Sequence, residues 1–335
     1  MKILITTGIY PPAIGGPAQY AKNLAEAFAQ LGHRVTVKTY RLEKKLPTGL
    51  RHLFFLIKIL PAVWQCDFVL TLDTFSVGWP TVLAGKILSK KVLIRTGGDF
   101  LWEGYVERTG DLILLSKFYQ TSLAKLSRKE RIIFKLTRWT LRRATKVVFS
   151  TDWQRQIWAT PYQLDLAKTA IVENYYGPKE PSEQATKKNF IFAGRAIRLK
   201  NLEKLELAFT EAKRIDPEII LEKVSLPHAE LMEKLRSAYA AVIPSVSEVS
   251  PNLALEALRY NKPTIMTHDC GLAEQLQSVT LLVDSLDHDN VARKIASLAD
   301  LTVYRDYQRR LLEFNKIHNW RNIAEELLLS GQNDL

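Results

Sequence analysis

Four charged residues in the C-terminal half have types and spacing that could hold an anion or a sugar: Arg195, Lys200, Glu248 and Glu256. The two glutamates are separated by seven residues within AAVIPSVSEVSPNLALEALRYNKPTIMTHDCG, which runs from Ala240 to Gly271. Ala240–Ile243 is an apolar run short enough for a buried strand, and Thr264–Thr267 is a second. Between them Ser250 can cap free N–H groups, and Pro251, which lacks an N–H, suits the first helical position. Ala254, Leu255 and Leu258 supply a packed face, and Asn261, Lys262 and Pro263 stop the helix. A helix start just past a strand end carries unpaired N–H donors and partial positive charge, so it attracts phosphate or sugar oxygens. Glu248 stands in the loop before that start; Glu256 stands inside the helix and leans back towards it. Taken alone, this arrangement fits mere capping as well as binding.

Arg195 and Lys200 follow another apolar run, Phe190–Ala193, at a strand–loop–helix junction. Arginine there offers a planar fork of donors and lysine a point charge, a pair suited to phosphate but equally at home on a solvated loop. In the N-terminal half, Lys91–Thr96 reads as a strand ending in Gly97-Gly98-Asp99. Ligands gather at the carboxyl ends of strands in open α/β sheets, so Asp99 is placed to meet one, although turn chemistry explains it too. Asp287-His288-Asp289 has the form of a metal-binding DxD motif. It precedes a helix beginning near Asn290, where acids stabilise the first turn, and the capping reading is preferred. No metal is expected.

At 335 residues the chain is long enough for two domains, each with its own core. Its two cysteines, Cys66 and Cys270, fit neither a metal spacing nor a disulfide framework, which points to a reducing cytoplasm. Met1-Lys2 leads straight into an apolar strand, with no signal peptide visible. The apolar stretch Leu50–Trp64 is interrupted by Arg51, His52, Lys58 and Pro61 and does not read as a membrane span. The net charge of +12 is uneven: residues 1–180 hold 27 Lys and Arg against 13 Asp and Glu, and the remainder 20 against 22. The excess peaks in Lys117–Lys146, with ten basic residues and the single acid Glu130.

The elements alternate strand and helix throughout. Lys2–Thr7 is a strand, Gly8–Gly16 (GIYPPAIGG) a loop, Pro17–Leu31 an amphipathic helix ended by Gly32, and Arg34–Tyr40 the next strand. This is how a Rossmann-like domain opens. Its glycines do not match GxGxxG, which disfavours a dinucleotide-dependent dehydrogenase, yet Gly15 and Gly16 still permit close backbone approach to a ligand. The spacing expects an N-terminal domain over 1–176 and, from its Pro, Gly and charge, a linker over 177–188 (GPKEPSEQATKK). A second αβ domain is expected over 189–318, and a terminal helix over 319–335 that packs back on the first domain.

With these motifs in view the chain resembles the family 4 retaining glycosyltransferases of glycosyl transferases group 1. The resemblance rests on GIYPPAIGGPAQYAKNLAEAFAQLGHRVTV, on FAGRAIRLKN with Arg195 and Lys200, on IVENYY with Asn174, and on Glu248–(seven residues)–Glu256 followed by NKPTIMT. It implies an α/β GT-B fold, two Rossmann-like domains facing across a cleft. Here the C-terminal domain is shortened between Ala212 and His228. It also implies transfer of a sugar from a nucleotide-diphosphate sugar to a glycan or lipid-linked acceptor, with retention and without a metal. In that pattern Arg195 and Lys200 grip the diphosphate and Gly15-Gly16 approach it from the other domain. Glu248 contacts the transferred sugar, Glu256 the ribose, and the backbone of Ser250, Pro251, Asn252 and Leu253 the sugar or phosphate oxygens. The histidine that family members place near Gly98-Asp99 is missing, so Asp99 is the candidate to orient or deprotonate the acceptor hydroxyl.

The basic tract, with Phe118, Leu123, Leu126, Ile132, Ile133, Phe134, Trp139 and Leu141 interspersed, suits docking on an anionic membrane, and the Arg41–Leu60 region could extend that surface. Core helices with solvated basic faces explain it equally. On the membrane reading the protein is cytoplasmic and peripheral on the inner face of the membrane. Rival classes fit less well. A nucleic-acid-binding protein fits the net charge, but no such motif is present and no nucleic-acid partner is expected. A non-catalytic nucleotide- or glycan-binding relative shares the fold, since a fold alone does not guarantee activity.

Overall fold

A computed structural model describes residues 1–13, 15–40 and 42–332. Ile14 of the first glycine loop and Arg41 at the head of the Arg41–Leu60 region lie outside the described residues. The chain divides into two compact units. The first holds Met1–Leu101, Lys125–Asn174 and Asn319–Leu335; the second holds Trp102–Ala124 and Tyr175–His318.

The first unit is built on a six-stranded parallel sheet: β1 (Lys2–Thr7), β2 (Arg34–Thr39), β3 (Phe68–Thr71), β4 (Val92–Thr96), β5 (Lys146–Phe149) and β6 (Thr169–Ile171). The strand order is β2-β1-β3-β4-β5-β6, every pair parallel. Helix α1 (Gly16–Gln30) joins β1 to β2. The chain then reverses direction along the sheet, and right-handed crossovers carry α2 (Thr48–Gln65) and α3 (Gly78–Ile87) to the opposite face. The point of reversal lies between β1 and β3, where ligands of such sheets collect. Gly8 ends β1 there, and a Cβ on it would stand 3.9 Å from Oδ2 of Asp73, which follows β3. Gly32, at φ +81°, closes α1 in the left-handed region that glycine tolerates.

The second unit carries a five-stranded parallel sheet of β7 (Lys188–Ala193), β8 (Ile219–Val224), β9 (Ala240–Ile243), β10 (Thr264–Thr267) and β11 (Thr280–Val283), in the order β11-β10-β9-β7-β8. Its reversal lies between β7 and β9. The shortened stretch between Ala212 and His228 still forms an edge strand, β8, paired with β7 over all six residues. A core of Phe190, Leu205, Phe209, Tyr239, Ile265 and Ile295 fills one face of the sheet.

Two boundaries differ from the sequence reading. The segment 177–188 is fastened to the second unit rather than left as a linker. Lys179 Nζ donates to the carbonyls of Leu258 and Leu311, each at 2.8 Å, and Lys262 Nζ donates to that of Glu183 at 2.7 Å. Burial pulls both ammonium groups down to about 8. The second difference is Trp102–Ala124, which comes from the first half of the chain yet belongs to the second unit. Helix α4 (Phe100–Thr109) and helix α5 (Leu115–Thr121) bury Tyr105 against Phe118 there, with ring centroids 5.2 Å apart.

The remaining helices of the first unit are α6 (Arg128–Arg143), α7 (Asp152–Tyr162) and α14 (Trp320–Gln332); those of the second are α8 (Leu202–Ile215), α9 (His228–Ser237), α10 (Asn252–Arg259), α11 (Ala273–Leu276), α12 (His288–Ala299) and α13 (Leu301–Glu313). Ser127 and Glu130 form a reciprocal capping box at the start of α6. In α14, Trp320 packs edge-on to Tyr20 of α1 at 5.2 Å.

Candidate functional site

In the second unit the site grows from the carboxyl ends of β7 and β9, on either side of the reversal. After β7 the chain makes a short 3₁₀ turn, Arg198–Lys200, and Asn201 takes a left-handed conformation (φ 52°) to start α8. The buried Asn201 amide donates to the carbonyls of Pro244 and Ser285, at 3.3 and 2.6 Å, which ties this turn to the loop after β9. Lys200 Nζ therefore meets Glu248 Oε1 at 2.5 Å. Ser245 completes the cluster, its hydroxyl donating to the same carboxylate oxygen at 2.6 Å and accepting from Lys200 Nζ at 3.4 Å.

The backbone of Glu248 is set by the loop after β10: its N–H donates to the Asp269 carbonyl, and its own carbonyl accepts from Gly271 N–H, each at 3.0 Å. Cys270 sits beside this pairing, and burial pushes its thiol up to about 12, away from the thiolate form that a nucleophile uses. Behind the cluster, the Ser247 hydroxyl donates to Asp269 Oδ2 and accepts from Leu115 N–H at 2.8 Å. Glu107 Oε1 accepts from Leu199 N–H at 3.2 Å. The segment Trp102–Ala124 thus braces both loops that carry the charged pair. Sequence reading missed this brace, because nothing local in Glu107 or Leu115 signals a partner roughly a hundred residues away.

Glu256 lies one turn into α10, where its Oε1 bonds His228 Nε2 at 2.7 Å. The glutamate carboxylate lifts the imidazole above its ordinary range. His228 was not among the expected site residues; its place at the start of a helix after an edge strand was the available signal. The α10 start differs in detail from expectation. Pro251, not Ser250, occupies the N-cap (φ −71°, ψ 106°), and no side chain caps the helix, since proline carries no side-chain acceptor. Arg195 is exposed, its carbonyl accepting from Ile197 N–H at 2.9 Å.

Asp287 caps α12 by accepting from Asn290 N–H at 3.0 Å, and these backbone donors hold its carboxyl below the usual range. Among the described residues no group of three or more His, Cys, Asp or Glu is arranged to hold a metal ion.

In the first unit, Asp99 is buried and its Oδ2 accepts from Trp158 Nε1 at 2.8 Å. Gly15 (φ 143°) is the N-cap of α1 and Gly16 its first residue. Two groups at this edge escaped the sequence reading. Asp73 follows β3 and takes the N–H of Phe75 at 2.6 Å; burial raises its carboxyl, while the backbone N–H groups of residues 75–78 oppose the rise. Arg95, the fourth residue of β4, lies under the Gly97-Gly98 turn. A cavity of about 700 Å³ lined by Met1, Lys2, His33, Arg34 and Asp67 lies at the opposite, amino edge of the sheet.

The basic tract is mostly structural. Phe118, Leu126, Ile133 and Leu141 are buried, and of its large apolar side chains Ile132 is the well-exposed one. Helix α2 is different: it buries His52, Phe55, Ile59 and Val63, while Leu50, Leu53, Phe54, Ile57 and Trp64 form a stripe exposed by 49 to 68 %. No helix among the described residues is long and apolar enough to cross a membrane.

Comparison with known proteins agrees with this architecture. Residues 179–300 match the family model described as glycosyl transferases group 1. No curated protein sequence matches the chain. Among solved structures, sucrose-phosphate synthase from Thermosynechococcus elongatus is 17 % identical with a TM-score of 0.71, covering 98 % of this chain and 97 % of its own. HepE of Anabaena, in complex with UDP and glucose, is 12 % identical with a TM-score of 0.70 over 100 % of both chains. The lipopolysaccharide outer core galactosyltransferase WaaB is 13 % identical with a TM-score of 0.62, again over 100 % of both. At such identities the likeness is one of fold. By its two parallel Rossmann-like sheets the chain has the GT-B architecture, and by the match over residues 179–300 its second unit is similar to the glycosyl transferases group 1.

Proposed function

We propose that the chain is a retaining, metal-independent glycosyltransferase that takes a hexose from a nucleotide-diphosphate sugar and passes it to a glycan or lipid-linked acceptor. The observation that carries the donor side is the Lys200–Glu248–Ser245 cluster, which stands at the sheet reversal just before the α10 start. In the reading offered, Lys200 and Arg195 neutralise the departing diphosphate, so no cation need be recruited. The backbone of Ser250, Pro251, Asn252 and Leu253, at the start of α10, meets sugar or phosphate oxygens. Glu248 contacts the transferred sugar and Glu256, with His228 beside it, the ribose. UDP and UDP-glucose, found with HepE, are the first donors to try.

The transition state has oxocarbenium character, positive on the sugar and negative on the leaving phosphate, and attack from the same face lets that phosphate accept the acceptor's proton. Asp99 is the side chain proposed to orient the acceptor hydroxyl. Gly15 and Gly16 are proposed for close backbone approach to a ligand at the first unit's own loop. The test is a thermal-shift panel of nucleoside diphosphates and their sugars, followed by transfer assays with and without EDTA. Stabilisation by one base and one sugar, with transfer unchanged by chelation, supports the reading. Activity lost to EDTA and restored by manganese overturns the metal-independent part.

For location, we propose peripheral attachment to an anionic bilayer through the α2 stripe, with the basic residues of α6 as the electrostatic complement. An apolar stripe of this kind gains by burial in lipid, and lysines and arginines near it gain from anionic headgroups.

A further inference from the structure

Among the described residues, the buried cation of the first unit, Arg95, has no acid beside it. Arg95 is only 4 % exposed, yet its contacts among the described residues are all neutral. Nη2 donates to Asn174 Oδ1 at 2.7 Å, Nη1 donates to the Thr96 carbonyl, and the guanidinium lies over the Tyr20 ring at 5.3 Å. Its Nε has no hydrogen-bond partner. Two groups past the neighbouring strand β5 are also buried without partners: the Ser150 hydroxyl, which can donate to an anion, and Gln154 Oε1 in the first turn of α7, an acceptor suited to a ligand hydroxyl. The Gln154 amide meanwhile donates to the Gly98 carbonyl at 2.9 Å, which places its side chain against the same turn.

A buried charge costs several kcal/mol unless it is paired. A buried lysine can shed its proton more readily, as burial pulls Lys179 and Lys262 down to about 8; arginine has no such escape. The guanidinium is also reachable. Gly97 is exposed, and a Cβ there would stand 3.6 Å from Arg95 Nη1, so the charge lies in contact distance of an exposed turn. This is the carboxyl edge of the sheet, where ligands bind.

We propose that Arg95, beneath the Gly97-Gly98 turn and beside Ser150 and Gln154, forms an oxyanion site that holds a phosphate or carboxylate group of the acceptor. The word acceptor rests on the glycosyltransferase reading; the anion site does not. The first unit would thus select acceptors by charge.

The experiment titrates the full chain with inorganic phosphate and, separately, with glucuronate, by calorimetry. It compares the wild type with Arg95→Met, Arg95→Lys, Gly97→Val and Lys200→Met. Arg95→Met is expected to weaken binding about tenfold or more, and Arg95→Lys less, because a point charge replaces a planar fork. Gly97→Val keeps the guanidinium but covers it, and is expected to lose binding too, so it decides the matter should Arg95→Met fail to fold. Lys200→Met is expected to leave this binding within about twofold. The tighter of the two probes names the anion. Loss in Lys200→Met but not in the Arg95 and Gly97 variants would put the anion in the donor site and overturn the proposal, as would failure of the wild type to bind either probe. Anion binding at Arg95 without any response to nucleoside diphosphates would leave this site standing and bring down the donor reading instead.

Discussion

The two sheets share one topology but treat their charges in opposite ways. At the reversal of the second sheet, Lys200 faces Glu248 with Ser245 closing the triangle, so the cation is held and oriented by an acid before any ligand arrives. At the edge of the first sheet, Arg95 is buried deeper and held only by neutral oxygens and a ring. A partly exposed lysine with its own carboxylate is stable alone and can exchange that partner for a diphosphate. A buried arginine without one is a site waiting for an anion. The same difference separates α6 from α2. The first keeps its apolar residues, Ile132 apart, wholly or partly inside and its charges in water, whereas the second shows solvent a stripe that water disfavours.

If that contrast is correct, the largest effects belong to the paired site. Lys200→Met and Glu248→Ala are expected to lower nucleotide-sugar turnover by about 100- to 1,000-fold, as loss of a preorganised charge does elsewhere, measured by release of the nucleoside diphosphate. Turnover within a few-fold of wild type would break the comparison at its stronger end. Next comes Asp99→Asn, expected to cut turnover by about 100-fold while leaving donor affinity unchanged. A parallel loss of donor binding would refute its acceptor role.

For the helices, Phe54→Asp and Ile57→Asp in α2 are each expected to weaken sedimentation with phosphatidylserine vesicles about tenfold, the scale of one buried apolar side chain. Arg131→Ala in α6 should weaken it about fivefold and only at low salt. Vesicle binding indifferent to both α2 variants would end the docking proposal. The smallest effect is in stability. Lys179 and Lys262 titrate near 8 when folded, well below an exposed lysine, so the unfolded chain binds more protons above that pH. Their desolvation penalty is complete below pH 8 and is relieved as pH rises towards about 10.4. Thermal melts should therefore show Lys262→Met gaining on the wild type at pH 7 and losing that advantage by pH 10; a pH-independent difference would contradict the assignment.

Much of the fold was legible in local patterns. β9 and β10 run over Ala240–Ile243 and Thr264–Thr267 as the apolar runs indicate, because strands buried on both faces must be continuously apolar. Boundaries set by hydrogen bonds were less so: of the IVENYY motif only Ile171 lies in a strand, β6, which runs over Thr169–Ile171 in register with Val147–Phe149 of β5.

By itself the sequence determined the alternation of strands and helices, the loop that holds Lys200, and the two glutamates around one helix start, since each is a matter of spacing within a few residues. Only the tertiary structure decided that Lys200 meets Glu248, that Trp102–Ala124 braces their loops, and that Arg95 is buried without an acid among the described residues. Those facts depend on which strand ends become neighbours and on what each side chain fails to find there. Pairing and burial are properties of the packed sheet, and no run of adjacent residues records them.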